Sequence, residues 1–239
     1  MATCRVEVVA STVEDVLAAA AGGADRVEFC AHLASGGLTP GRSLIEQALA
    51  TAKQNGLGFR VLIRTREGDF VYTPTERHAI VAEAEAVLSL GADKVVCGGL
   101  LADGTVDLDL LTALDRAVGL DKVVFHRAFD EAADHDEARR QLKAAGVRTV
   151  LTSGGRPQAA EGLSAIEETV QSGLEVVAGA GVQPDQVADF VRAGVEAVHA
   201  SCRVPDHAPE GRLFDATRTR VDETKVRTLV EAVRAGARP

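Results

Sequence analysis

The sequence predicts an α/β protein, a (β/α)8 TIM barrel forming a single domain over residues 1–239. Three observations predict it. Short Val-rich runs alternate with amphipathic stretches eight times along the chain. Four joints repeat one pattern: Gly-Ala-Asp-Arg-Val-Glu (23–28), Gly-Ala-Asp-Lys-Val-Val (91–96), Gly-Val-Arg-Thr-Val-Leu (146–151) and Gly-Val-Glu-Ala-Val-His (194–199). In each, a glycine closes a helix in the left-handed conformation and the chain enters a strand within three residues. Finally, 46% of residues are hydrophobic but only 3% aromatic, with no Trp and one Tyr. That composition calls for a core of Ala, Val and Leu, which suits the branched aliphatic layers inside such a barrel. An open doubly wound sheet is the other arrangement that eight strands allow.

The strands fall at 5–9, 26–30, 58–64, 94–97, 122–126, 148–152, 174–178 and 197–200. The first helix, 12–21, follows Ser11 and Thr12 as caps. Helices at 41–54 and 75–90 start after Thr39-Pro40 and Thr73-Pro74, pairing a capping hydroxyl with proline near the first turn. Those at 107–118, 134–145 and 158–172 follow from apolar residues recurring at helical spacing. Gln183-Pro184 opens 184–193, and Asp222 caps the last helix, 222–235. Between the eighth strand and that helix, 203–221 is rich in Pro, Arg and Asp without periodicity and is expected to be a long irregular loop.

Composition narrows function by exclusion. A net charge of −9 leaves no basic surface for nucleic acid, and few aromatics leave little for base stacking. No apolar run is long enough to span a bilayer, and the start of the chain lacks a signal-peptide pattern, so a cytoplasmic protein is expected. Four widely spaced cysteines are then free thiols. No Walker A loop or dinucleotide fingerprint is present. Lys94 and Lys122 begin strands and none ends one, which argues against Schiff-base chemistry.

The strand ends carry the chemistry. In a barrel the C-terminal strand ends form the ligand face, so polar side chains there point to a site. Glu7, Glu28 and His126 are candidates for acid–base work or for a divalent metal. Arg64 and Arg66 could clamp an anion, and Asp69, Arg127, Asp130 and Ser153 lie in the adjoining turns. Gly179 and Gly181, just before a helix, with His199 and Ser201 after strand eight, mimic the phosphate site barrels build there; Ser153-Gly154-Gly155 offers a second small nest. For a soft metal the donors are Cys30 with its neighbour His32, then Cys202. Each has a plain structural reading too: a buried carboxylate–Arg64 plug, a satisfied core histidine, an ordinary Arg127–Asp130 pair.

Several motifs together resemble the CutC family. They are Arg-Val-Glu-Phe-Cys-Ala-His-Leu (26–33) with Gly-Gly-Leu-Thr-Pro (36–40), and Ile-Arg-Thr-Arg-Glu-Gly-Asp-Phe-Val-Tyr (63–72). Phe-His-Arg-Ala-Phe-Asp (125–130), Leu-Thr-Ser-Gly-Gly (151–155) and His-Ala-Ser (199–201) follow in the family's order. The resemblance implies a TIM barrel, a cytoplasmic homodimer, and a role in copper homeostasis with copper binding. Its shared polar set falls on Glu7, Glu28, Cys30, Arg64, Arg66, Asp69, His126, Arg127, Asp130, Ser153 and His199. Here His32 stands where the family usually has Asn, and Val9 where it has Cys. The family's Met- and Ser-rich stretch after the last strand is replaced by 203–221. Two readings result: a copper-binding protein, or a barrel enzyme acting by acid–base chemistry on a small anionic, phosphorylated or sugar-like ligand.

Overall fold

A computed structural model describes residues 4–206 and 218–236. Eight parallel strands close into a barrel in the order β1 to β8. They are β1 (Arg5–Ala10), β2 (Arg26–Phe29), β3 (Gly58–Leu62), β4 (Lys94–Cys97), β5 (Val123–Phe125), β6 (Thr149–Thr152), β7 (Glu175–Gly179) and β8 (Ala197–Ala200). Each is followed by a helix on the outside: α1 (Val13–Gly22), α2 (Arg42–Gln54), α3 (Pro74–Ser89), α4 (Leu108–Val118), α5 (His135–Ala145), α6 (Leu163–Gln171), α7 (Val187–Ala193) and α8 (Glu223–Gly236). The open sheet is thereby ruled out. No helix among the described residues is long and apolar enough to cross a membrane.

The local signals explain the boundaries. Thr12 accepts from the Asp15 amide, and Thr73 with Glu76 makes a reciprocal capping box. The four repeated joints all have left-handed glycines, with φ of 86, 97, 101 and 82° at Gly23, Gly91, Gly146 and Gly194. Two expected helices start later than the pattern implies. Ala159–Gly162 and Pro184–Gln186 are 3₁₀ turns, tightening the chain before α6 and α7 begin.

Two expectations need correcting. The 203–221 segment is not irregular at its ends: β9 (Arg203–Asp206) pairs antiparallel with β10 (Arg218–Val221). Residues 207–217 lie outside those described. The pairing is anchored by buried Asp15, which takes Arg203 Nη1 at 3.0 Å and the Val221 amide at 2.8 Å. Nor is the core wholly aliphatic, since Phe29, Phe59, Phe125, Phe129 and Phe190 are among the largest fully buried side chains. The barrel interior itself does hold an aliphatic band of Val9, Leu62, Val96, Val124, Leu151 and Val177.

Strand register sets the height of each inward residue. Glu7 pairs with Arg26 and His199, Glu28 with Arg60, and Gly179 with His199. Followed round the barrel, inward side chains stack in layers drawn from alternate strands. Glu7 and Arg60 share a low layer with Val124 and Val177. Glu28 and His199 lie one layer higher, with Val96 and Leu151. His126 comes next, with Val9, Leu62 and Gly179.

Candidate functional site

A cavity of about 790 Å³ opens at the C-terminal strand ends. Glu28 and His199 form its floor, and His126, Cys30, Val9, Leu62 and Leu151 its walls. Gly179 makes part of the room: a Cβ there would meet Leu151 Cδ1 at 2.8 Å and His199 Cδ2 at 3.2 Å. The rim is cationic. Arg64, Arg127, Arg203 and Lys225 line the cavity, whereas Glu28 is its one acidic lining residue among those described.

Glu7 lies beneath this floor rather than at the mouth. Its Oε2 accepts from Arg26 Nε at 2.5 Å and Arg60 Nη1 at 3.0 Å, and its Oε1 is 2.8 Å from His199 Nδ1. Arg26 also holds Glu196 through both terminal nitrogens. Burial pushes the Glu7 carboxyl up, but the two guanidiniums outweigh it and hold it well below the ordinary carboxylate value. Glu7 is thus a structural plug, with Arg26 and Arg60 as partners instead of Arg64.

Glu28 is the opposite case. It is buried, accepts no hydrogen bond from the described residues, and its Oε2 is wholly enclosed without a partner among them. Burial raises its pKa to about 7, against the pull of His199; the Glu7 charge adds to the rise. For His199, burial favours the neutral ring, but the Glu28 and Glu7 carboxylates prevail and raise its pKa. Glu28 therefore exchanges a proton in the neutral range beside a histidine whose pKa is raised, an arrangement common in acid–base sites.

Among the described residues, Glu7, Glu28 and His199 form the one cluster of three potential ligands with atoms within 4.8 Å of one another. Their donor set fits a metal poorly. Both Glu7 oxygens are spent on arginines and His199, and His199 Nδ1 is spent on Glu7, leaving two donors. The thiol set is not assembled either. Cys30 and Cys202 line the cavity, but His32 does not; it sits at a φ of 51° capping a 3₁₀ turn, Leu33–Ser35. Burial pushes the Cys30 thiol up strongly and that of Cys202 to about 11.

Other expected site residues hold loops. Arg64 donates through Nη1 to the Ser35 carbonyl (2.9 Å) and the Gly37 carbonyl (3.2 Å), and through Nη2 to that of Gly68 (2.6 Å). It lines the cavity as a tie between two loops, with both terminal nitrogens engaged and its buried Nε unpaired among the described residues. Arg66 and Asp69 lie outside the cavity. There Arg66 pairs with Glu76 at 2.5 Å and Asp69 at 3.0 Å and stacks over Tyr72. Asp130 accepts from Arg127 Nε, the Ser153 and Gly155 amides and Thr152 Oγ1, so it fastens the β6 turn. Ser153 Oγ accepts from Arg127 Nη2 and is buried in that turn. Gly154 is required there, because a Cβ would come within 2.3 Å of the Gly162 carbonyl oxygen. Gly181 and Ser201 line the cavity mouth beside His199.

The residues that sequence reasoning missed are of two kinds. Arg26 and Arg60 share strand parity with Glu28 and Leu62, so period two alone could have found them on the axis. Arg203 and Lys225 had no such signal; Arg203 follows β8 and is held by Asp15, and Lys225 stands at the start of α8, where its Nζ donates to the Arg203 carbonyl at 2.9 Å.

Known proteins resemble this chain closely. The sequence model of the CutC family matches residues 4–204. A family protein CutC from Agrobacterium fabrum is 37% identical over 235 residues, covering 94% of this chain and 92% of the relative. One from Salmonella enteritidis is 38% identical over 201 residues, covering 83% of this chain and 80% of the relative. Among solved structures, a Streptococcus agalactiae CutC, named for copper homeostasis, superposes with a TM-score of 0.76 at 27% identity. That match covers 83% of this chain and 98% of the other.

Proposed function

This chain belongs to the CutC family, and we propose a function for it from the chemistry of its site. The cavity binds a small anionic ligand, phosphorylated or sugar-like, and Glu28 exchanges a proton with it. The observation that carries this reading is Glu28 itself. A buried carboxyl without a hydrogen-bond partner among the described residues, titrating near 7 beside His199 and below a cationic rim, is costly to keep for packing alone. His199, oriented by Glu7, supports the charged form of Glu28 when a proton leaves it. The four free thiols favour a reducing compartment, the cytoplasm.

Calorimetric titration with glycerol 3-phosphate, in buffers of different ionisation enthalpy, tests this reading. Binding linked to proton uptake or release near neutral pH is expected. Combining Arg127→Ala with Lys225→Ala should weaken it roughly 10-fold or more, since charged contacts to a phosphate are lost. Binding indifferent to both cations would sink the reading.

Copper as a cargo is the second reading, favoured by one observation: Cys30 and Cys202 line the same cavity. Soft thiolates select Cu(I). Both thiols are protonated at neutral pH, so binding must release protons and tighten as pH rises. Titration of the reduced protein against a competing chelator checks this, with an affinity loss of about 100-fold expected in Cys30→Ser/Cys202→Ser. An affinity unchanged by that double substitution removes copper from this cavity.

A further inference from the structure

His126 faces the same cavity from β5, one layer above Glu28, and its ring is in a defined state. Nδ1 accepts a hydrogen bond from the Ala128 amide at 3.3 Å, so a neutral ring carries its proton on Nε2. Nε2 is buried and has no partner among the described residues, in a residue only 3% exposed. Phe70, 4.7 Å away between ring centroids and tilted by 58°, offers it a weak π contact at most. Burial, helped by the Arg64 charge, lowers the His126 pKa to about 3. The ring is therefore neutral under all ordinary conditions. It has no free lone pair to act as a base, which corrects its assignment as an acid–base residue alongside Glu7 and Glu28.

An unsatisfied buried N–H is expensive and is retained where a ligand completes it. We infer that His126 donates its Nε2–H to a carbonyl oxygen of the ligand, so that the ligand class is a small anionic aldehyde or ketone. This rests on the anionic-ligand reading above and adds a substrate class to it. Glu28, as carboxylate, takes the proton from the carbon next to that carbonyl. The C–H electron pair becomes the C=C bond of an enolate, and the carbonyl pair moves to the oxygen held by His126. On reversal the proton returns from the Glu28 carboxyl to carbon, with no oxidant or other reactant. A neutral donor suits this task because it stabilises the developing oxyanion without first losing its own proton.

Two measurements on the whole chain test it. In protein labelled with 15N-histidine, and assigned with His126→Gln, the His126 ring should be the neutral Nε2–H form throughout about pH 5 to 8. A ring protonated on Nδ1, or charged in that range, overturns the inference whatever binds. Dihydroxyacetone phosphate and glycerol 3-phosphate carry the same phosphate but differ by a carbonyl against an alcohol. The ketone should bind about 10-fold tighter, a gap lost in His126→Phe and partly kept in His126→Gln, whose amide can still donate. If both probes bind equally, the carbonyl assignment fails while the anion site stands. If neither binds although the tautomer is as stated, the anionic-ligand reading fails and takes the substrate class with it.

Discussion

Glu7→Ala is expected to cost about 3–5 kcal/mol of folding stability, because it strands the buried Arg60 guanidinium and leaves Arg26 with Glu196 alone. Arg26 and Arg60 are only 4% and 5% exposed, and Glu7 Oε2 is the one carboxylate oxygen they share. Glu196 remains for Arg26, but Arg60 keeps no other carboxylate partner among the described residues. His199 also loses the acceptor that fixes its Nδ1. Urea unfolding at neutral pH measures the effect, and a loss below about 1 kcal/mol would show that water replaces the carboxylate. The pH dependence has a definite sign. Glu7 titrates below its ordinary value of 4.5 in the folded state, so its stabilisation is present above about pH 4.5 and disappears as pH falls through its folded pKa. Substituting Glu7, Arg26 and Arg60 together by apolar residues of similar volume should be far milder than removing Glu7 alone, since no charge is then left unpaired.

The same residues show where sequence reading stops. The barrel was legible because its signals are local: a strand is announced by Val-rich runs, and the Gly-Ala-Asp joints fold as left-handed glycines wherever they occur. Parity along a strand correctly turns Glu7, Glu28 and His126 toward the axis. It says nothing about height. Glu7 sits below the cavity and Glu28 on its floor because the register with β2, β3 and β8 staggers the layers, a property of closure that no single strand contains. The loops are hidden from the sequence in a similar way at Arg64 and Arg66. Each ends its strand or begins its loop as expected of a ligand clamp, but loop carbonyls take both terminal nitrogens of Arg64, and Glu76 and Asp69 pair with Arg66 outside the cavity. The β9–β10 ladder was invisible because its two short strands lack alternation, and Asp15 on α1, distant in sequence, supplies part of the anchoring.

Glu28→Gln is expected to stabilise the protein, and only at higher pH. Glu28 has a folded pKa of about 7 against an ordinary 4.5, so the folded state resists its ionisation. Between those values the folded protein binds more protons than the unfolded chain, and stability falls as pH rises. The cost is absent below about pH 4.5 and complete above about pH 7, where the shift corresponds to about 3 kcal/mol. An amide avoids it, so Glu28→Gln should gain up to that amount near pH 8 and almost nothing near pH 4.5. His199 works in the same direction in the native protein. Its folded pKa is raised, so its contribution is full below 6.5 and is lost as pH climbs through the folded value. In Glu28→Gln that contribution shrinks as well, since Glu28 is the strongest influence raising it. Paired urea titrations of both proteins at the two pH values decide the matter, and a variant no more stable than the native protein near pH 8 would contradict it. A carboxyl that destabilises its own fold at working pH, yet sits unpartnered on the floor of a cation-rimmed cavity, is kept for chemistry rather than for packing. The same substitution should therefore abolish the proton linkage of ligand binding while leaving the cationic rim, and with it phosphate affinity, in place.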